Sequence, residues 1–252
     1  MDKSLFDVYL QEQEEAFNGW DFSRLTSLNR FNSSLLPWSY GGLAYAAMQQ
    51  ANAVLDMGTG GGEFFSRLHP YPPIAYATEG YEPNLTIARQ RLRPLGVTVV
   101  FSQTDENLTV PSSHFDLILN QHDSYSVSEL ERLLQSGGTF LTQQVGGRDC
   151  SDLNKALGAQ IDPLYSKWDL DHALAAFSNK PFHIQKTLEK IGVQRFYDIG
   201  AVIYYLKAIP WQIPDFSVEK YIRPLQQIHE HIQCKGYIDF IQHRFLIEAR
   251  LL

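Results

Sequence analysis

The sequence predicts an α/β protein built on a parallel sheet with helices on both faces. Three observations lead there. An apolar run passes straight into a glycine-rich turn at residues 54–62. Further apolar or β-branched runs alternate with helical patterns, and the composition, 44% hydrophobic and 19% charged, is that of a folded globule. At 252 residues the chain suffices for one generous domain, or one domain with a cap.

Taken in order, the strands expected are Ala53–Met57, Ile74–Thr78, Val97–Phe101, Phe115–Asn120 and Thr139–Val145, then a sixth around Phe182–Leu188 and a last near Phe240–Ala249. Between them, Pro83 suits a first helical turn, Leu85, Ala88 and Leu92 share one face, and Gly96 is a stop. Ser126-x-x-Glu129 reads as a capping box before Leu130, Leu133 and Leu134, with Gly137-Gly138 ending that helix. Residues 1–45 are acidic, then aromatic: Glu12, Glu14 and Glu15 fall on a predicted helix, with Trp20, Trp38 and Tyr40 behind it. This N-terminal helical cap either covers a ligand pocket or simply packs. Residues 196–237 intervene before the last strand and include a helix with Tyr221, Leu225, Ile228 and Ile232 on one face, bent at Pro224. A lid over an aromatic pocket and a packing or homodimer element are both open readings of this insertion. The core then comprises residues 46–195 and 238–252.

Composition narrows the partners. Twenty-one basic against 28 acidic residues give a net charge of −7 without any Lys/Arg run, which argues against a nucleic-acid partner. No apolar stretch reaches the roughly 20 residues that span a bilayer, and the Met1-Asp-Lys-Ser start lacks the apolar core of a secretory signal. A cytoplasmic protein with no membrane partner is expected. Cys150 and Cys234 are far apart and lack metal-ligand spacing, so neither a metal nor a disulfide is expected.

The chemistry starts at the glycine turn. Gly58 and Gly60 can adopt positive φ and let a ligand lie against bare backbone. A helix beginning near Gly62 would offer unpaired N–H groups to a carboxylate, a phosphate or a ribose hydroxyl. A dinucleotide fingerprint needs a glycine at relative position six, where this chain has Glu63, so NAD fits poorly. Asp56 is an unusual charge at the end of a buried strand unless it meets the ligand or pins the loop. Glu79 closes the next strand, nineteen residues beyond Gly60, where a carboxylate can accept from ribose hydroxyls. Asp105 and Glu106 follow the third strand, where a base ring would lie. Each alone is readily a turn or surface residue; their order at the ends of three successive strands points to a nucleoside.

The pattern Asp56-x-Gly58-x-Gly60-x-Gly62 resembles the first motif of the class I S-adenosylmethionine (SAM)-dependent methyltransferases. Phe115-Asp116-Leu-Ile-Leu-Asn120 is similar to the fourth motif of that family, and Leu133-Leu-Gln-Ser-Gly137-Gly138-Thr-Phe to its fifth, with Ser136 where many members carry proline. The resemblance covers residues 50–147. It implies a Rossmann-like seven-stranded sheet flanked by helices, a SAM pocket over the carboxyl ends of the strands, and in-line methyl transfer. It further implies that Asp56, Gly58 and Gly60 line the methionine side, Glu79 the ribose, Asp105 and Glu106 the adenine, and Asn120 the floor beneath the sulfonium. The stretch 195–214 resembles a bacterial subgroup whose members mostly have no assigned substrate.

Chemistry is expected just beyond the fourth strand, at Asn120-Gln-His122-Asp123-Ser-Tyr125. His122 is the candidate catalytic base, with Asp123 to orient it; proximity and alignment alone are the alternative. Tyr125, Gln143 and Gln144 lie at adjacent strand ends and can shape an acceptor site. The expected function is methyl transfer from SAM to a small-molecule acceptor. An RNA or protein methyltransferase and a catalytically idle SAM-binding module are the competing readings.

Overall fold

The computed structural model describes residues 4–17 and 20–252. Residues 1–3, part of the expected N-terminal cap, lie outside the described residues, as do Asn18 and Gly19. In chain order the elements are α1 (Leu5–Leu10), α2 (Ser23–Thr26), β1 (Phe31–Ser33), α3 (Tyr40–Met48), β2 (Ala53–Met57), β3 (Ile74–Glu79), α4 (Glu82–Leu92), β4 (Thr98–Phe101), β5 (Phe115–Gln121), α5 (Val127–Leu133), β6 (Leu134–Val145), α6 (Ser151–Leu157), α7 (Leu170–Ala175), β7 (Phe182–Phe196), α8 (Ile199–Ala208), α9 (Ile222–Lys235) and β8 (Ile238–Leu251). No helix among them is long and apolar enough to cross a membrane.

Among the described residues the sheet has eight strands, not the expected seven, in the order β1-β7-β8-β6-β5-β2-β3-β4. The additional strand is β1, three residues paired antiparallel with the end of β7. Its Phe-Asn-Ser sequence carries no alternating apolar signal, and backbone pairing alone makes it a strand. From β4 to β6 all pairings are parallel, while β8 is antiparallel to both β6 and β7. β2 is buried at all five positions because it lies between β3 and β5 and is covered on both faces.

Two apolar layers sandwich the sheet. Met48, Leu85 and Leu92 from α3 and α4 pack on one face, and Leu130, Leu133 and Ala173 from α5 and α7 pack on the other. The face of α4 expected from Leu85, Ala88 and Leu92 is the buried one. The expected boundary at residue 45 falls inside α3, which packs on the sheet. A third apolar cluster lies apart. It joins Leu25, Leu153 of α6, nearly all of α8, and Leu225, Ile228 and Ile232 of α9.

That third cluster sits on an extension of the sheet. The β6–β8 ladder ends at Val145 and Arg244, whereas the β7–β8 ladder continues to Phe196 and Ile238. The two strands overshoot the carboxyl ends of the parallel strands and carry β1, α8 and α9. The N-terminal segment is fastened to this cap by Arg30, whose Nη1 lies 2.8 Å from Glu12 and whose Nε and Nη2 lie 2.8 and 2.7 Å from the two oxygens of Asp198. Asp198 in turn caps α8 by accepting from the Ala201 N–H.

Several local expectations are corrected. No α-helix follows the glycine loop: only a three-residue 3₁₀ turn forms at Phe65–Arg67. Pro70, Pro72 and Pro73 stand downstream, where each removes an N–H and disfavours helix in the residue before it. The capping box at Ser126 does not form. Glu129 instead accepts from the Leu108 N–H at 2.7 Å and pairs with Arg132, which ties the loop before β5 to α5. Helix α5 already ends at Leu133, and Gly137-Gly138 lies within β6, opposite a register shift between Phe115 and Leu117. Pro224 occupies the first turn of α9, where its missing N–H breaks no helical bond.

Candidate active site

The ends of β2, β3 and β5 bring three carboxylates together. Asp56, at the end of β2, and Glu79, at the end of β3, are 4% and 7% exposed. The third is Asp123, in the loop after β5. The loop Gly58–Gly62 turns through positive φ at Gly58, Gly60 and Gly62. At Gly58 a Cβ would overlap the Asp123 carboxylate, so glycine is required there both for φ and for close approach. Beside Gly60 packs Trp20.

Among the described residues no cation compensates these carboxylates, and their proton affinities record it. Burial pushes Asp56 up to about 7; the Thr59 hydroxyl pulls it partly back, and the Asp123 and Glu79 carboxylates push it further up. Glu79 is raised by burial, against the Tyr81 N–H that its Oε1 accepts at 2.7 Å, with Asp123 adding to the rise. Asp123 is raised by burial, with Asp105 adding. Thr59 Oγ1 is itself buried and lies close enough to Asp56 to favour its charged form, yet it makes no hydrogen bond of good geometry among the described residues. Two buried carboxylates, an exposed third in Asp123 and a buried hydroxyl without a hydrogen-bond partner suit a ligand bearing positive charge and hydroxyl groups.

The other expected residues divide. Asp105 is half-buried and faces Asp123, whereas the Glu106 side chain is exposed. Asn120 is wholly buried and fully engaged: its Oδ1 accepts from Thr142 at 2.9 Å and Gln144 at 2.7 Å, and its Nδ2 donates to the Ser124 carbonyl. It therefore fixes the course of the 120–125 loop. His122 has φ +64, in the left-handed region, and donates its backbone N–H to the Gln143 carbonyl.

A network sets the His122 tautomer. The Trp38 indole N–H donates to Gln143 Oε1 at 2.7 Å, so the Gln143 amide turns its NH₂ toward His122 Nε2, 3.0 Å away. Nε2 then accepts, and the ring proton sits on Nδ1. Burial pulls the His122 pKa down to about 3, with Arg244 adding to the fall. The imidazole is thus neutral and weakly basic, and Gln143 rather than Asp123 orients it.

Next to this loop is a cavity of about 600 Å³. His122, Ser124 and Tyr125 line one side. Gln144, Val145, Asp149 and Arg244 line the floor, Tyr205, Trp211 and Gln212 of the insertion form the roof, and Trp20, Phe22 and Phe31 of the N-terminal segment close the flank. Trp20 and Trp211 stack at 5.7 Å with 14° between their planes. Asp149 accepts from the His243 N–H at 2.8 Å, from Arg244 Nη1 at 2.5 Å and from Gln194 at 3.1 Å. The Tyr205 hydroxyl holds the other end of the Gln194 amide.

Sequence reasoning did not single out Asp149, Gln194 or Arg244. A signal was present in the last strand, where Gln242-His243-Arg244 interrupts the apolar run Phe240–Ile247 with three polar residues. Polar side chains in a strand buried on both faces face a cavity or one another.

Residues 55–142 match the family model described as a methyltransferase domain. Among solved structures, the YcgJ protein of Bacillus subtilis is 17% identical, with 84% of this chain and 97% of that chain covered at a TM-score of 0.56. A SAM-dependent methyltransferase of Geobacter sulfurreducens in complex with S-adenosyl-L-homocysteine is 15% identical, covering 100% and 99%, TM-score 0.51. A functionally unknown protein of Deinococcus radiodurans is 13% identical, covering 99% and 100%, TM-score 0.54. At these identities the likeness is one of fold. No curated protein matches the chain in sequence.

Proposed function

We propose that this chain, whose residues 55–142 form a methyltransferase domain on the class I Rossmann-like fold of the SAM-dependent methyltransferases, binds SAM over the ends of β2, β3 and β5 and methylates a small molecule held in the adjacent cavity. One observation carries the proposal. The 120–125 loop faces both places at once: Asp123 leans on Gly58 of the glycine loop, while His122, Ser124 and Tyr125 line the cavity. A group attached at one site is then presented to the other.

The residues present suit the cofactor. Asp56 and Asp123 offer negative charge to its ammonium and sulfonium, and Glu79 has a carboxylate oxygen beyond the one that accepts from Tyr81 with which to take ribose hydroxyls. Gly58 and Gly60 leave room for close approach, and Asp105 stands toward the adenine. Glu106, exposed, is left out of this assignment. When bound, SAM supplies an electrophilic methyl group on a positively charged sulfur. Asn120 acts by holding its loop in place rather than by touching the ligand.

The neutral His122, with Nε2 taken up by Gln143, offers Nδ1–H to the acceptor, and we assign it to positioning in place of the general base expected from sequence. Methyl transfer then relies on alignment in a cavity from which the cap excludes water. The volume of about 600 Å³ suits a small molecule, within the usual range of roughly 300–1,000 Å³ for such sites. The net charge of −7 without any Lys/Arg run argues against an RNA strand as the acceptor.

The test is thermal unfolding with SAM and with S-adenosylhomocysteine on the wild type, Asp56→Ala and Glu79→Ala. Mass action requires a rise in Tm for the wild type and its loss in both variants. Absence of a rise in the wild type at millimolar ligand would remove the cofactor assignment, and an idle binding module would give the rise without methyl transfer to any acceptor.

A further inference from the structure

Four of the twelve arginines of this chain share a habit. Arg24, Arg30, Arg132 and Arg195 each present the Nε–Nη2 edge of the guanidinium to a carboxylate side-on: to Glu12 at 3.0 and 3.3 Å, to Asp198 at 2.8 and 2.7 Å, to Glu129 at 2.9 and 2.5 Å, and to Asp239 at 2.7 and 2.8 Å. This fork matches the two oxygens of a carboxylate in spacing and plane. Arg30 goes further and gives Nη1 to a second carboxylate, Glu12.

Arg244 repeats half of the Arg30 arrangement. Its Nη1 donates to Asp149 and to the His243 carbonyl, but Nε and Nη2 have no acceptor among the described residues, and the side chain, 12% exposed, lines the cavity. The outer edge is held still by what lies behind it, since Asp149 is fixed by the His243 N–H and Gln194, and Gln194 by Tyr205. Around the guanidinium the cavity walls are flat and aromatic, with Tyr205 and Trp211 from the cap, Phe22 and Phe31 from the N-terminal segment, and Trp168.

We infer that the cavity takes an aromatic carboxylate, bound with its carboxylate on the Nε–Nη2 edge of Arg244 and its ring between the aromatic walls. This inference rests on the methyl-transfer reading only in calling that ligand the acceptor. A monoanion fits better than a phosphate dianion, because Asp149 beside the fork opposes a second negative charge. Register supplies the length. Arg244 pairs with Val145 two strands from β5 and three residues beyond the level of Asn120. That is about 14 Å between Cα atoms at the usual strand spacings, enough for one ring between the guanidinium and the loop that faces the glycine turn.

Titration calorimetry on the full chain without cofactor tests it, using benzoate, indole-3-carboxylate and 2-naphthoate, each against its carboxamide. At least one carboxylate is expected to bind roughly tenfold or more tightly than its amide, as a fork to a charged group requires. Arg244→Lys keeps a cation for Asp149 but removes the fork, and is expected to weaken that carboxylate by about the same factor while leaving the amide unchanged. If no carboxylate outbinds its amide, or if Arg244→Lys weakens both equally, the inference is overturned. The comparison within the wild type holds even if the variant does not fold. S-adenosylhomocysteine titrated separately reports on the cofactor reading alone.

Discussion

Asp56 gives the sharpest test of the electrostatics. Replacing it with asparagine keeps the shape and removes the charge. In the folded protein its pKa stands near 7 against an ordinary value of 3.8, and burial is the main cause. Each unit corresponds to about 1.4 kcal/mol, so ionising Asp56 destabilises the fold by up to about 4 kcal/mol once the pH exceeds 7. The sign follows from proton binding. Between pH 4 and 7 the native state holds a proton that the unfolded chain has lost, so wild-type stability falls as pH rises through that window and then levels off. Asp56→Asn lacks this loss. The variant is expected to match the wild type near pH 4 and to exceed it progressively up to pH 7, by a few kcal/mol at most because the surroundings relax. Urea unfolding at half-unit pH intervals measures the gap. The same variant is expected to lose its preference for cationic SAM over neutral S-adenosylhomocysteine, since the charge that burdens the empty site is what the sulfonium meets. Parallel stability curves from pH 4 to 8 would mean that Asp56 is ionised throughout, and the account of an uncompensated carboxylate cluster would be wrong.

Three further outcomes are expected. Gly58→Ala places a Cβ against Asp123 at a position with φ +64; it should lower stability by about 1–3 kcal/mol and abolish the Tm rise with S-adenosylhomocysteine. Arg30→Ala leaves Asp198 without its cation at 9% side-chain exposure and Glu12 with Arg24 alone; a loss of roughly 3–5 kcal/mol, with faster amide exchange in α1 and α8, is the expected reading. His122→Asn, once an acceptor is in hand, should keep kcat within about tenfold and leave the pH–rate profile between 5 and 9 unshifted, whereas a general base would lose about 10²–10⁴.

Local signals carried most of the core. β2 is legible because Val54-Leu-Asp-Met57 is a short apolar run that ends at glycines, and α4 because Pro83, a spaced apolar face and Gly96 agree with one another. Where non-local pairing decides, the reading falls short. The sequence reads β7 only around Phe182–Leu188, yet its pairing with β8 carries it to Phe196. β1 exists only because the overshoot of β7 offers it an edge. The strand-end positions of Asp56 and Glu79 are legible because the strands themselves fix them. Asp123 was named, but as a partner for His122, since nothing local says that its side chain lies across Gly58. Arg244 was missed because its role depends on a cavity that six separated segments build.

The overshoot of β7 and β8 has a mechanical consequence. Both strands run unbroken from the body of the sheet into the cap, so the roof of the cavity is a cantilever clamped at its root rather than a flap on linkers. Swinging it would bend a paired ladder. The flank is less firmly built. Helix α1 buries none of its residues, and its continuation is held through Arg30 and through the Lys207 amine on the Gln13 and Glu15 carbonyls. Of the two stacked tryptophans, Trp211 hangs from the clamped side and Trp20 from the looser one. Trp20 also packs beside Gly60, so the less firmly held wall of the cavity borders the glycine loop as well.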